Sequence, residues 1–296
     1  MQPIKTGDKV AIIAPCGQIG EMSKIAPAVE YLQSLGLQPI AGEHLLCVNR
    51  YMAGSDEQRA ADINTAFANP EVKAVFCVRA AAGGLRVLPY LDYDLIKRNP
   101  KPFIGFCDNA SVQLALWQKC GLVSYNGFVL TYDFKDGALD SLIKEDLEKL
   151  LQGKLFTVVS GQNLRSGTAK GKLICSNLTT LLRLAGTPYF PDLSDKILLV
   201  EDINERVYRL DLMLQQLKLQ PSFKHLKGII FGQFTNSQTD DEDGSVDDCV
   251  QDFLSHTNLP AITDFNFGHT KSRHVLPMGA EVEMNADKAE LKILRY

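Results

Sequence analysis

Cys107 lies between the apolar run 103–106 and a helical pattern that begins near Asp108, so its thiol occupies a sharp strand-to-helix turn. A side chain presented there projects from the end of a sheet. The first amides of the following helix point at the same space and favour negative charge, whether on a thiolate or on an oxyanion. Such a site suits nucleophilic attack on a carbonyl, while the plainer reading of the same residue is a buried core cysteine. A nucleophile of this kind needs a base within hydrogen-bond reach, and neutral imidazole suits that task near neutral pH. Of the five histidines, His269 follows Gly268 and His274 lies five residues further on. Glu201 and Asp202 follow the apolar run 197–200, and a carboxylate in either place can orient an imidazole or simply cap or salt-bridge. Arg79, at a predicted strand end, offers a fork for a substrate carboxylate or for a loop-fixing ion pair. Asn177 opens a helical pattern as a substrate contact or an N-cap, and Tyr208 and Arg209 are weaker substrate-contact candidates on a predicted helix.

These residues depend on their scaffold. The first half alternates β-rich runs at 9–14, 38–41 and 74–78 with helical patterns at 23–35 and 56–68, the rhythm of βαβ units and hence of a mainly parallel sheet. Ligands of such sheets bind beyond the carboxyl ends of the strands. Three loops are expected to converge there: Ala14-Pro15-Cys16-Gly17, 79–84 and Cys107-Asp108-Asn109. A helix at about 110–119, a strand at 123–127 and an acidic helix at 139–151 follow. The fold class is therefore α/β, with an N-terminal Rossmann/flavodoxin-like domain over 1–155, a Gly-, Ser-, Thr- and Asn-containing linker over 156–170 and a smaller C-terminal α/β domain over 171–296. Strands at 171–175, 196–200, 228–234 and 281–285, and helices at 178–184, 206–217 and 246–254, are expected in the second domain.

The 296 residues are enough to bury a large core without covalent staples. A net charge of −4 gives no electrostatic basis for nucleic-acid binding. The seven cysteines form no CxxC pair, so neither a zinc site nor a disulfide framework is expected, and no cofactor motif is present. The apolar run 10–14 is too short to span a membrane and lacks a basic flank or cleavage site, which points to a cytoplasmic protein without membrane partners.

Six ordered segments resemble the LD-carboxypeptidases of the S66 peptidase type, which include murein tetrapeptide carboxypeptidases and microcin C immunity proteins. Residues 4–15 resemble the family's opening "GDxVxIxAPSG", 51–62 its "YLAGTDEERAxDL", and 102–108 its elbow, usually "IGYSD". Residues 175–178 stand where the family has "GGNL", 198–202 match "LFLED", and Phe267-Gly268-His269 correspond to its "GH" before a closing Pro277-Met278-Gly279. The resemblance implies a nucleophile-His-Glu triad with Cys107 as nucleophile, His269 as base and Glu201 orienting the imidazole, the last two in a C-terminal domain of swivelling β/α/β type. It also implies a murein-derived peptide substrate, a homodimer, and oxyanion donors in the Asp108 amide and the Ala81 amide.

Two departures stand out. Cysteine replaces the family's serine at 107, and Arg79-Ala80-Ala81-Ala82-Gly83 replaces "RGGYG", which removes two glycines and an aromatic. Within the class, a microcin-immunity-type hydrolase of peptide-nucleotide conjugates predicts an aromatic clamp in the second domain, whereas the one tryptophan is Trp117. A catalytically weakened muropeptide-binding protein and a glutaminase-like amidase are the other readings.

Overall fold

The computed structural model describes residues 2–134, 137–238 and 244–296. The chain divides into two compact units, Met1–Lys154 with Val275–Gly279, and Leu155–His274 with Ala280–Tyr296.

In the first unit β1 (Lys9–Ile13), β2 (Gln38–Ala41), β3 (Val72–Cys77), β4 (Phe103–Gly105) and β5 (Ser124–Asn126) pair in parallel in the order β2-β1-β3-β4-β5. This is the flavodoxin-like strand order. Near-continuous apolar runs such as Val10 to Ile13 are buried because helices cover both faces of parallel sheets. The helices are α1 (Ala26–Ser34), α2 (Asp56–Ala68), α3 (Gly84–Val87), α4 (Tyr93–Arg98), α5 (Ala110–Cys120) and α6 (Ser141–Leu151).

Helix α2 starts at a reciprocal capping box. The Ser55 hydroxyl accepts from the Gln58 amide at 3.2 Å, and the Gln58 side chain accepts from the Ser55 amide at 2.9 Å. At its other end Lys101 donates from Nζ to the carbonyls of Ala66 (3.0 Å) and Asn69 (2.8 Å). Burial pushes the Lys101 ammonium down to about 8. An unfolded chain keeps this proton to about pH 10.4, so over that interval the unfolded state binds more protons and stability rises with pH. In urea titrations the wild type should gain stability relative to Lys101→Met between pH 8 and 10; a constant difference would contradict this.

The second unit is built on one mixed sheet of β6 (Thr157–Val159), β7 (Gln162–Arg165), β8 (Thr168–Asn177), β9 (Lys196–Ile203), β10 (Gly228–Thr235), β11 (Ala261–Thr263), β13 (Glu281–Asn285) and β14 (Glu290–Arg295). Strands β8, β9, β10 and β11 are parallel neighbours, while β7, β13, β14 and β6 pair antiparallel around them. Its helices are α7 (Leu178–Leu182), α8 (Val207–Lys218) and α9 (Val246–Ser255). The remaining strand, β12 (Leu276–Met278), belongs to the first unit, where it pairs antiparallel with β5. No helix of the described residues is long and apolar enough to cross a membrane.

Two expectations are corrected. Residues 156–170 are not a linker but supply β6, β7 and the start of β8. Polar, exposed edge strands carry too few apolar residues to alternate visibly, so their composition reads as loop. Residues 275–279, assigned to the C-terminal domain, complete the first sheet instead. The helical pattern at 23–35 also opens with a 3₁₀ turn, Met22–Ile25, before α1.

Candidate active site

Cys107 follows β4 after Phe106, whose backbone is extended at φ −153°, and itself adopts the left-handed conformation at φ 58°. For a residue with a Cβ this costs about 1–2 kcal/mol. Strain of that kind at a strand-to-helix turn is the signature of a nucleophile elbow. A 3₁₀ turn, Cys107–Asn109, leads into α5, so the helix proper begins slightly later than the expected Asp108. The thiol is partly exposed, whereas Asp108 and Asn109 are buried.

Asn109 is the residue that sequence reasoning left without a role. Its Nδ2 donates to the carbonyls of Phe106 (3.0 Å) and Arg79 (3.3 Å), and its Oδ1 accepts from the Cys16 thiol at 3.2 Å. One side chain thus ties the loops after β1 and β3 to the elbow. The available signal was a buried-type Asn immediately before a helical run, but it suggested only a cap, and no cap bond forms. Asp108 adds a second tie, its Oδ2 accepting from the Gly84 amide at 2.6 Å. Position 84 must lack a side chain because a Cβ there would lie 2.5 Å from the Asp108 carbonyl oxygen.

The loop after β3 carries the expected Arg79 and Ala81. Arg79 donates from Nη1 to the Gln18 carbonyl at 2.6 Å, which anchors it to the loop after β1 while its side chain remains exposed. Ala81 has φ 65°, the left-handed region that the family's glycine enters without penalty. Ala81→Gly should therefore raise the unfolding free energy by about 1 kcal/mol, part of the 1–2 kcal/mol strain being offset by glycine's freedom in the unfolded chain. Urea unfolding checks this, and a destabilised variant would refute it.

In the second unit Glu201 is carried by β9 and is fully buried. Its Oε2 lies 2.8 Å from Nδ1 of His269. Burial pushes the Glu201 carboxyl above its ordinary range, and the hydrogen bond and charge of His269 partly oppose that shift. Gly268, at φ 139°, lets the chain turn closely over this carboxylate: a Cβ there would come within 3.2 Å of Glu201 Oε2 and 3.0 Å of the Gln233 carbonyl oxygen.

The neighbouring acid is fully engaged elsewhere. Asp202 accepts from Asn177 Nδ2, from the amide and hydroxyl of Thr179, and from the Ile203 amide, each at 2.8 Å. Successive strand residues face opposite sides of the sheet, which separates Glu201 from Asp202. Asn177 caps α7 through Oδ1, accepting from the Thr180 amide at 3.0 Å, so its side chain is committed to the helix start and to Asp202. His274 packs beside the Phe265 ring at 5.9 Å, and the imidazole on Glu201 is that of His269. Tyr208 and Arg209 lie exposed on α8, joined to each other at 3.3 Å, with Arg209 also 3.7 Å from Glu205. Trp117 lies on α5 of the first unit, where its ring packs on Gly279.

The LD-carboxypeptidase N-terminal domain matches residues 10–127 and the LD-carboxypeptidase C-terminal domain matches residues 170–284. The chain belongs to the LD-carboxypeptidase family. It is 33% identical over 288 residues to the probable murein peptide carboxypeptidase of Bacillus subtilis, covering 95% of this chain and 90% of that protein. The crystal structure of muramoyltetrapeptide carboxypeptidase from Oxalobacter formigenes superposes with a TM-score of 0.88 at 30% identity, covering 97% of this chain and all of that one (100%). The structure of MccF in complex with glutamyl sulfamoyl guanosine superposes with a TM-score of 0.89 at 23% identity, covering 100% of this chain and 98% of that one, a likeness of fold. Family membership supports an LD-carboxypeptidase-like activity.

Proposed function

We propose that this protein is a cytoplasmic, metal- and cofactor-independent LD-carboxypeptidase that releases a C-terminal D-amino acid from a murein-derived tetrapeptide through a thioester on Cys107, acting as a homodimer. The observation that carries the reading is the left-handed elbow at Cys107, the residue to which the motif resemblance gives the nucleophile's role. In the proposed sequence His269 accepts the thiol proton and the sulfur adds to the carbonyl carbon of the terminal peptide bond. The oxyanion is held by the amides of Asp108 and Ala81. Collapse breaks the C–N bond, and His269 returns the proton to the departing amine. Water, deprotonated by the same imidazole, then hydrolyses the thioester. With Nδ1 held by Glu201 at 2.8 Å, the proton-transfer atom of His269 is Nε2. Arg79 is the proposed partner of the substrate's terminal carboxylate, with Asn177, Tyr208 and Arg209 as lesser substrate contacts.

The test is incubation with L-Ala-γ-D-Glu-meso-diaminopimelate-D-Ala and detection of free D-Ala by mass spectrometry. No release from either the native protein or Cys107→Ser would sink the proposal. A second reading, a muropeptide-binding protein with weakened catalysis, is favoured by the strained alanine at 81; calorimetric binding without turnover selects it. The peptide-nucleotide reading is the less supported, because the one tryptophan packs within the first unit.

A further inference from the structure

The Tyr51–Asp62 segment has no part in the reaction just proposed, yet it contains Arg59, which with Arg273 is one of the two largest fully buried side chains among the described residues. A buried guanidinium needs several acceptors to offset its desolvation. Arg59 finds them on three loops and one helix turn. Nη1 donates to the carbonyls of Pro15 at 2.5 Å and Gly83 at 2.8 Å, and Nη2 reaches the Asp56 carboxylate and the Met52 sulfur, the latter at 3.4 Å. Pro15 lies in the loop after β1 and Gly83 in the loop after β3.

The Gly83 carbonyl and the Gly84 N–H belong to one planar peptide unit. Arg59 binds its oxygen, and the Asp108 carboxylate, one residue beyond Cys107, binds its N–H at 2.6 Å. The plane is therefore held from both edges, and rotating it breaks two charge-assisted hydrogen bonds at once. Two residues before Gly83 stands Ala81, strained at φ 65°.

We infer that Arg59 is a positioning residue: by holding the Gly83–Gly84 peptide against the elbow, it keeps the Ala81 turn in the shape required for oxyanion stabilisation. The inference rests on the oxyanion role proposed above for the Ala81 amide. Asp56 is the accessory that orients Arg59, and it is also bound by Arg86, whose Nη2 lies 2.6 Å from its Oδ2. That hydrogen bond, aided by the charges of Arg59 and Arg86, holds the Asp56 carboxyl below its ordinary range.

The experiment compares wild type, Arg59→Lys and Arg59→Met in D-Ala release and in hydrogen exchange of residues 79–84. Expected are a fall in kcat of about 10- to 100-fold for Arg59→Met with KM within threefold, partial rescue in Arg59→Lys, and at least tenfold faster exchange confined to 79–84. A kcat within twofold of wild type, or a loss confined to KM, would overturn the inference. Should Arg59→Met not fold, Arg59→Lys and Asp56→Asn carry the same kcat and exchange readouts. If the wild type itself releases no D-Ala, the proposed activity fails separately, and exchange alone then decides the clamp: unchanged protection of 79–84 in the folded variants refutes it.

Discussion

Cys107→Ala should lower D-Ala release by about 10⁴-fold or more, because removing the proposed nucleophile leaves only binding and oxyanion stabilisation. Cys107→Ser retains a measurable rate, since a hydroxyl at the elbow restores the arrangement that the family's serine uses. Iodoacetamide separates the two chemistries. It abolishes activity with one carboxamidomethyl group on Cys107, and it leaves the activity of Cys107→Ser intact. Cys16, Cys77, Cys175 and Cys249 are buried, while Cys47 and Cys120 are partly exposed like Cys107, so the experiment uses a Cys47→Ser, Cys120→Ser background and locates the label by peptide mapping. For Cys16 burial, reinforced by the nearby Asp108 charge, also pushes the thiol well above its usual range, which suppresses the reactive thiolate. Full activity in Cys107→Ala would remove this residue from the chemistry altogether.

Glu201→Gln lowers kcat by about 10³- to 10⁴-fold, the scale associated with loss of the carboxylate that fixes an imidazole tautomer. An amide can offer its nitrogen rather than an acceptor to Nδ1, and the basic nitrogen of the ring is then Nδ1 rather than the Nε2 that the proposed reaction uses. The pH profile carries the sign. Burial raises the Glu201 carboxyl, so its charge is lost as pH falls through a value above the ordinary range of glutamate. Activity of the wild type should fall along the same limb, with apparent values that belong to the Glu201–His269 pair rather than to either residue. Stability runs the other way. The Glu201 contribution is fully present below the unfolded value and is lost as pH rises through the raised folded value. A Glu201→Gln enzyme with an unchanged rate would refute the role.

Much of this was readable in the residues themselves. Cys107 was visible because an apolar run, a glycine and a helical pattern meet there within five residues, and such a junction has few backbone solutions. Glu201 was visible through the apolar run that became β9, although its rivalry with Asp202 was resolved only by hydrogen bonds to Asn177 and Thr179. What escaped depends on long-range contacts. Arg59 sits in the charged stretch Asp56-Glu57-Gln58-Arg59, which reads as a solvated helix face, yet it is 1% exposed because its acceptors come from loops far along the chain. Strand β12 is only Leu-Pro-Met, and a proline argues against a central strand; it is accommodated because β12 pairs on one side only, at the sheet edge.

That edge strand has a consequence for how the protein is made. Strand β5 meets its partner β12 only after some 150 intervening residues have left the ribosome, since Ser124 pairs with Met278 and Asn126 with Leu276. Until then β5 offers an open ladder of backbone donors and acceptors, a template for pairing with other nascent chains. The unit that carries Cys107 is therefore completed only after most of the second unit has been translated. Its assembly during synthesis is tied to the arrival of the segment just beyond His269, so a chain interrupted within the second unit leaves the first sheet unclosed.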